Sequence, residues 1–351
     1  MMKEYTLERL GWRAFFQQQL SLDEIEHARP ARVLTVQRSG ITVGDTTGER
    51  HIALAKKWFT QPAEARPAIG DWVLLSEQGD AVLRVLDRTS VFTRVTAGTK
   101  ADLQVIAANV DTLFVVTSCN DEFNPSRLER YLALAVEAGV EPVVVLTKAD
   151  LCDATDRYVD AVHAVRRNVA VECVNALDPT AIAGVRAWCR PGQTVAMVGS
   201  SGVGKSTLLN SLAGELKQAT GAIRESDMRG RHTTSHRSLH LLPNGALLLD
   251  SPGMRELKMV DVEQGVTEVF DDVGELALKC RFTDCGHEDE PGCAVRAAID
   301  AGTLDERRLL NYRKLLREQA RHTDTIAAQR HRRRQFAKQV KRSLEIKDKR
   351  R

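Results

Sequence analysis

No apolar run in these 351 residues approaches the roughly 20 that a membrane-crossing helix needs. The longest, such as Thr112 to Thr117, have the length of buried strands. The first ten residues include Lys3, Glu4, Glu8 and Arg9, so they lack the apolar centre of a secretory signal. A disulfide framework is missing too. The seven cysteines are odd in number, with Cys119, Cys152, Cys173 and Cys189 scattered and three clustered from Cys280 onward. The scattered four are expected to be small buried hydrophobes. There is also no internal repeat. These absences argue against a helical membrane protein and a secreted disulfide scaffold, and they lead us to expect a cytoplasmic protein of two or three domains; a monomer with no membrane partner is expected as well.

A strong overall charge is absent as well, but the distribution is uneven. The net charge is +3, yet Arg321 to Arg351 holds twelve Lys or Arg against three Asp or Glu. That local +9 leaves −6 for the remainder. A basic tail on an acidic body suggests a polyanionic partner.

Four regions follow one another. Residues 1–30 read as a polar, partly helical extension in which Leu7, Leu10, Phe15 and Leu20 could share a face. Residues 31–97 hold short strands separated by Gly and Asp turns, the pattern of a small all-β barrel. An oligonucleotide-binding (OB) barrel leads, although other small barrels fit the strand pattern equally, and Trp72 is expected in the core. Residues 98–268 alternate strands and helices, which predicts a parallel α/β sheet covered on both faces. Its strands are 112–117, 142–146, 169–174, 194–198 and 246–249, and a helix opens at Asn124-Pro125 and ends at Gly139. Residues 269–351 are mostly helical after a cysteine-rich loop, with Thr303 to Glu306 predicted to form a capping box.

Gly199-Ser200-Ser201-Gly202-Val203-Gly204-Lys205-Ser206 satisfies G-x-x-x-x-G-K-[ST] between an apolar strand and a helix that continues through Thr207. The glycines let backbone N–H groups wrap a β-phosphate, Lys205 adds charge near the β- and γ-phosphates, and the Ser206 hydroxyl can ligate Mg²⁺. Thr147-Lys148-Ala149-Asp150 stands at the end of a strand, where α/β sheets bind ligands. An Asp carboxylate there accepts hydrogen bonds from guanine N1–H and N2–H₂, which adenine does not offer, so GTP is favoured over ATP. Thr147 replaces the usual Asn of N-K-x-D, and Asn175-Ala176 takes the place of a Ser-Ala guanine loop.

Asp250-Ser251-Pro252-Gly253 matches D-x-x-G: Asp250 would hold Mg²⁺ through water and the Gly253 N–H would meet the γ-phosphate. Arg229 to Thr234 suits a switch loop, with Thr234 preferred over Thr233 to close over Mg²⁺ and γ-phosphate. The motif order is permuted. The guanine-reading elements precede the phosphate loop, whereas an ordinary GTPase has them last. Met254 stands where many GTPases place a water-orienting Gln, which makes His232 the internal candidate for that task and permits a second reading in which GTP is bound but scarcely hydrolysed. Cys280, Cys285, His287 and Cys293 make a Cys₃His set suited to a closed, structural tetrahedral Zn²⁺ site.

In permuted order, phosphate loop, Thr147–Asp150, Asp250–Gly253, Arg231-His232-Thr233-Thr234 and cysteine loop, the chain resembles the bacterial ribosome small-subunit-dependent GTPase A family over nearly its whole length. The resemblance implies an N-terminal OB barrel, a central circularly permuted GTPase and a C-terminal zinc domain with ligands Cys280, Cys285, His287 and Cys293. It implies binding to the small ribosomal subunit and its 16S rRNA during late maturation, with hydrolysis of GTP to GDP stimulated by that subunit.

Overall fold

The computed structural model describes residues 5–37, 39–95, 103–178, 180–213, 238–250 and 262–321. Five apolar runs form a parallel sheet: Thr112–Ser118, Glu141–Thr147, Ala170–Cys173, Thr194–Val198 and Leu247–Asp250. In chain order, with Arg29–Val36 (β1), Gly40–Asp45 (β2), Gly48–Ala53 (β3), Trp72–Leu75 (β4), Val82–Val85 (β5), Val91–Val95 (β6) and Leu103–Ala108 (β7) before them, these are β8, β9, β10, β11 and β13. Ser238–Leu241 (β12) joins the sheet antiparallel to β13 and also pairs with β1 where Ser238 meets Thr35, giving the order β10-β9-β8-β11-β13-β12-β1-β2-β3. Val115, Val144, Val195 and Leu248 are among the buried side chains that make these strands apolar on both faces, as a covered parallel sheet requires. The strand β12 was not anticipated from the sequence.

Helix Pro125–Glu137 begins as expected, with Asn124 Oδ1 accepting the Arg127 N–H at 2.9 Å and Pro at the first position. Gly139 follows it at φ +70°. This helix is also a seat for the C-terminal helices. A Cβ on Gly265 would fall 2.0 Å from the Ala133 carbonyl oxygen, so only glycine lets helix Glu263–Val269 approach this closely.

Strands β1 to β5 make an antiparallel part of this sheet, paired in the order β3-β2-β1-β4-β5. Ala31, Val33, Ile41, Val43, Ile52, Val73, Leu75 and Val82 close into one cluster beneath it, plugged by Trp58 from the short helix Lys56–Thr60. Trp72 is fully buried, edge-on to Trp12 at 4.7 Å between ring centroids and close to Phe16. It is core, as expected. In the extension, Leu10 and Phe16 are buried while Phe15 is 42% exposed, which corrects the predicted face. The reason is that the segment breaks at Gly11 (φ +88°) and restarts as helix Ala14–Gln17, so no single helical face runs through it.

Arg32 of β1 fastens the extension, β1 and the parallel strand β11 together. Its guanidinium is 1% exposed and donates to the carbonyls of Leu10 (3.2 Å) and Asn109 (2.9 Å) and to Thr194 Oγ1 (3.1 Å). Burial pulls its pKa down to about 10, partly offset by Asp111 and Asp71.

The C-terminal part comprises helices Asp271–Ala277, Ala294–Asp300 and 306–321. The predicted capping box is not formed. Asp305 is the cap instead, its Oδ1 accepting the Arg307 N–H at 2.8 Å, while the Thr303 hydroxyl donates to the Ala298 carbonyl and Glu306 pairs with Arg296. An Asp one residue before the first turn outcompetes a Thr held by the preceding helix. The basic tail beyond Arg321 lies outside the described residues.

Candidate functional site

The phosphate loop runs from the C-terminal end of β11 into helix Lys205–Ala213. It lies so close over β8 that a Cβ on Gly199 (φ +148°) would fall 2.1 Å from the Val116 carbonyl oxygen. No other residue fits. Because β8, β9, β11 and β13 are parallel, their C-terminal ends gather at one edge of the sheet, and with them the Gly199 to Ser206 turn and Lys148 to Asp150.

Three contacts join the predicted pieces. The fully buried Thr147 hydroxyl reaches the Val203 carbonyl at 2.6 Å, with the Thr117 carbonyl at 3.1 Å. Thr147 therefore ties the Thr147 to Asp150 turn directly to the Gly199 to Ser206 loop through its hydroxyl. Next, the Ala149 N–H donates to the Val174 carbonyl at 3.3 Å, bringing Asn175-Ala176 beside Lys148 to Asp150. Asn175 Oδ1 shapes that loop by accepting the Leu177 N–H at 3.0 Å. Finally, the Ser211 hydroxyl donates to the Ala176 carbonyl at 2.6 Å, so the helix Lys205–Ala213 holds the Asn175-Ala176 loop. Lys148 sits at φ +58°, a left-handed turn, and Asp150 is exposed beyond it.

Ser201, Gly202 and Ser206 are exposed at the mouth of the loop, Gly204 and Thr207 are half-buried, and Val203 is buried beneath it. Lys205 Nζ donates to the carbonyls of Gly199 (2.9 Å) and Ser200. The Ser200 hydroxyl also receives the guanidinium of Arg127, a residue that no motif in the sequence marks. Asp250 ends β13 beside β11, placing its backbone at the same edge, while its side chain lies outside the described residues. His232, Thr233, Thr234, Gly253 and Met254 also lie outside the described residues.

The second constellation is the cysteine loop. The ligand atoms of Cys280, Cys285, His287 and Cys293 all lie within 4.8 Å of one another. Cys280 Sγ and Cys293 Sγ are 3.9 Å apart, and His287 Nδ1 is 3.6 Å from each. A tetrahedral zinc would hold two sulfurs about 3.8 Å apart and a sulfur and nitrogen about 3.6 Å apart, so the donor set fits. Burial alone would raise the Cys280 thiol, but the N–H groups of Val295 and Ala294 at the start of the next helix hold it below its usual value. Burial lowers the His287 pKa and favours the neutral, ligating imidazole. The Arg296 guanidinium donates to the Glu288 carbonyl at 2.9 Å, fixing the loop to the helices. Among the scattered cysteines, Cys119 and Cys189 are buried as expected, whereas Cys152 is half-buried and Cys173 exposed. Those two lie at strand and loop ends rather than in strand interiors.

A family model described as RsgA GTPase matches residues 85–260. The chain belongs to the RsgA GTPase family. It is accordingly a GTP-hydrolysing enzyme with a circularly permuted GTPase fold. Among RsgA relatives, "Small ribosomal subunit biogenesis GTPase RsgA 2" of Vibrio vulnificus (strain CMCP6) is 52% identical over 334 residues, covering 95% of this chain and 94% of that protein. "Small ribosomal subunit biogenesis GTPase RsgA" of Mesorhizobium japonicum (strain LMG 29417 / CECT 9101 / MAFF 303099) is 47% identical over 321 residues, 91% of each chain. The crystal structure of YjeQ from Thermotoga maritima aligns with a TM-score of 0.60 and 28% identity, covering 83% of this chain and 98% of that one. YloQ, titled a circularly permuted GTPase, shares the fold with a TM-score of 0.57 at 23% identity, covering 85% and 97%. In this RsgA-family chain no described helix is long and apolar enough to cross a membrane.

Proposed function

We propose that this GTPase acts in the cytoplasm as a monomer, binding the small (30S) ribosomal subunit through its 16S rRNA and assisting its late maturation, with GTP hydrolysis stimulated by the subunit. The observation that carries the partner is the 52% identity, across 95% of the chain, to a relative named for small ribosomal subunit biogenesis. In this reading residues 31–97 form an OB-type barrel for RNA, supported by the β3-β2-β1-β4-β5 order and the core shared by all five strands. Residues 98–268 are the GTPase and 269–351 the zinc domain, whose basic tail adds phosphate-neutralising charge.

GTP would lie across the sheet edge. Asp150 would read guanine, with the Lys148 stem and Asn175-Ala176 flanking the base. The Gly199 to Ser206 backbone and Lys205 would hold the β- and γ-phosphates, and Thr207 would extend the site into the helix. Mg²⁺ fits an all-oxygen set, the exposed Ser206 hydroxyl with Asp250 on the neighbouring strand and Thr234 from the switch loop. When bound it would neutralise charge on the β- and γ-phosphates. Gly253 and Thr233 would line the γ-phosphate side, and His232 would orient the attacking water. Cys280, Cys285, His287 and Cys293 would hold one structural Zn²⁺.

Cosedimentation through a sucrose gradient with a non-hydrolysable GTP analogue tests the partner. Binding to isolated small subunits but not to large ones is expected, weakening as salt rises. Comigration with large subunits, or with neither, contradicts the proposal. Stripping zinc with a chelator is expected to abolish cosedimentation while GDP affinity stays within about threefold, because zinc stabilises folding of its own module. Equal loss of GDP binding would show that the metal serves the nucleotide site instead.

A further inference from the structure

The helix Pro125–Glu137 points a cation at the phosphate loop. Asn124 fixes the start of the helix, and Arg127 is the third residue in. Its guanidinium donates to the Ser200 hydroxyl, while Lys205 Nζ donates to the Ser200 carbonyl. Two cations thus converge on one residue of a loop built to hold phosphate. Arg127 has no carboxylate partner among the described residues. The neighbouring Glu129 faces away from it and is taken up by Arg307, Arg308 and Asn311. An arginine left with a neutral hydroxyl, one residue from a chain of phosphate-binding N–H groups, retains full capacity for an anion.

The helix body leaves Arg127 little freedom except in its side chain. Leu128 and Leu132 are buried, Arg130 clasps Glu318 at 2.6 and 2.7 Å, and Gly265 packs against Ala133. Functional groups mounted on rigid elements are the well-placed ones. The sequence also leaves a gap that such a cation fills, since Met254 carries neither charge nor hydrogen-bond donor.

We infer that Arg127 is an arginine supplied in cis to the hydrolysis reaction, exchanging its Ser200 contact for γ-phosphate oxygens when GTP is bound. In that reaction a water oxygen forms a bond to the γ-phosphorus. The bond from phosphorus to the β–γ bridging oxygen breaks, and its electron pair stays on GDP. The proton released by water leaves with inorganic phosphate or to solvent. Negative charge grows on the bridging oxygen and spreads over the transferred group, and Arg127 offsets it there. The inference rests on the proposal that Gly199 to Ser206 holds the phosphates.

The test uses the full chain with Arg127→Met, which keeps bulk without charge, and Arg127→Lys, which keeps charge without the planar fork. Fluorescent GDP binding, steady-state GTP turnover and the slowing of GDP release by aluminium fluoride are read for each. Arg127→Met is expected to leave GDP affinity within about threefold, lower kcat roughly 10²-fold and abolish the aluminium fluoride effect. Arg127→Lys is expected to recover part of both. An equal loss of GDP and GTP affinity with kcat preserved would overturn the inference and make Arg127 a brace for the loop. Unchanged turnover in both variants would also overturn it. Failure of the unaltered chain to bind GDP would sink the phosphate-site reading beneath it.

Discussion

Asp150→Asn is expected to weaken GTP binding roughly 10³-fold and to create binding of xanthosine triphosphate. Two charge-assisted hydrogen bonds from guanine N1–H and N2–H₂ would end on the Asp150 carboxylate, and a site built around such a pair rejects ligands that leave it unmatched by several orders of magnitude. The asparagine amide sets a donor against the guanine amino group. Xanthine presents a carbonyl at that position, so the same amide finds an acceptor. The supporting frame should survive the change, because Thr147 holds the loop through Val203 and Ala149 through Val174, and neither contact involves the Asp150 side chain. Isothermal titration with GTP, GDP and xanthosine nucleotides checks it. Retained GTP affinity, with no xanthosine binding, would remove Asp150 from the base site.

Glu129→Ala is expected to cost about 3 kcal/mol of stability, the largest effect away from the nucleotide. Glu129 is fully buried on helix Pro125–Glu137. Its carboxylate accepts from Arg307 at 3.0 and 3.2 Å, from Arg308 at 3.2 Å and from Asn311. Arg308 is itself 5% exposed, reaches Asp272 at 2.6 and 2.8 Å and the Val269 carbonyl at 2.7 Å, and stacks on Phe270 at 4.8 Å. Removing the anion leaves the buried Arg308 guanidinium and the buried Asn311 amide each short of an acceptor, and that desolvation cost sets the size of the loss. Glu318→Gln, which weakens the more exposed pair with Arg130, should cost about 1 kcal/mol or less. Guanidinium unfolding followed by circular dichroism, together with limited proteolysis of the 306–321 helix, measures both. Equal effects of the two substitutions would mean that the buried cluster is not what seats the C-terminal helices.

What could be read from the sequence, and what could not, divides along physical lines. The strand–loop–helix at Gly199 to Ser206 was legible because Gly199 meets a backbone that tolerates no Cβ, and such positions admit one residue type. The strands β8, β9 and β11 were legible because burial on both faces makes them continuously apolar. The Cys₃His set was legible because few other roles explain those residues at that spacing, and the structure gathers their ligand atoms. By contrast β12, Ser-Leu-His-Leu, is short and half polar, and it becomes a strand by pairing with β13 on one side and, at Ser238, with β1 on the other. Glu129 looks like a solvent-facing helix residue, and its partners lie about 180 residues away. The adjacent Arg307-Arg308 pair was the one available hint. Arg127 and Arg32 were missed for the same reason: an arginine's role is set by where its long side chain ends, which local pattern does not encode. Phe15 and Phe16 exchanged places because a turn at Gly11 resets the helical phase.

The most direct test of the account is steady-state GTP hydrolysis by the full chain with and without purified small ribosomal subunits, at two salt concentrations, with large subunits as the control. The account predicts a turnover that rises at least about tenfold with small subunits alone and declines as salt is raised. Turnover indifferent to small subunits, in a protein that still binds GTP, would contradict it.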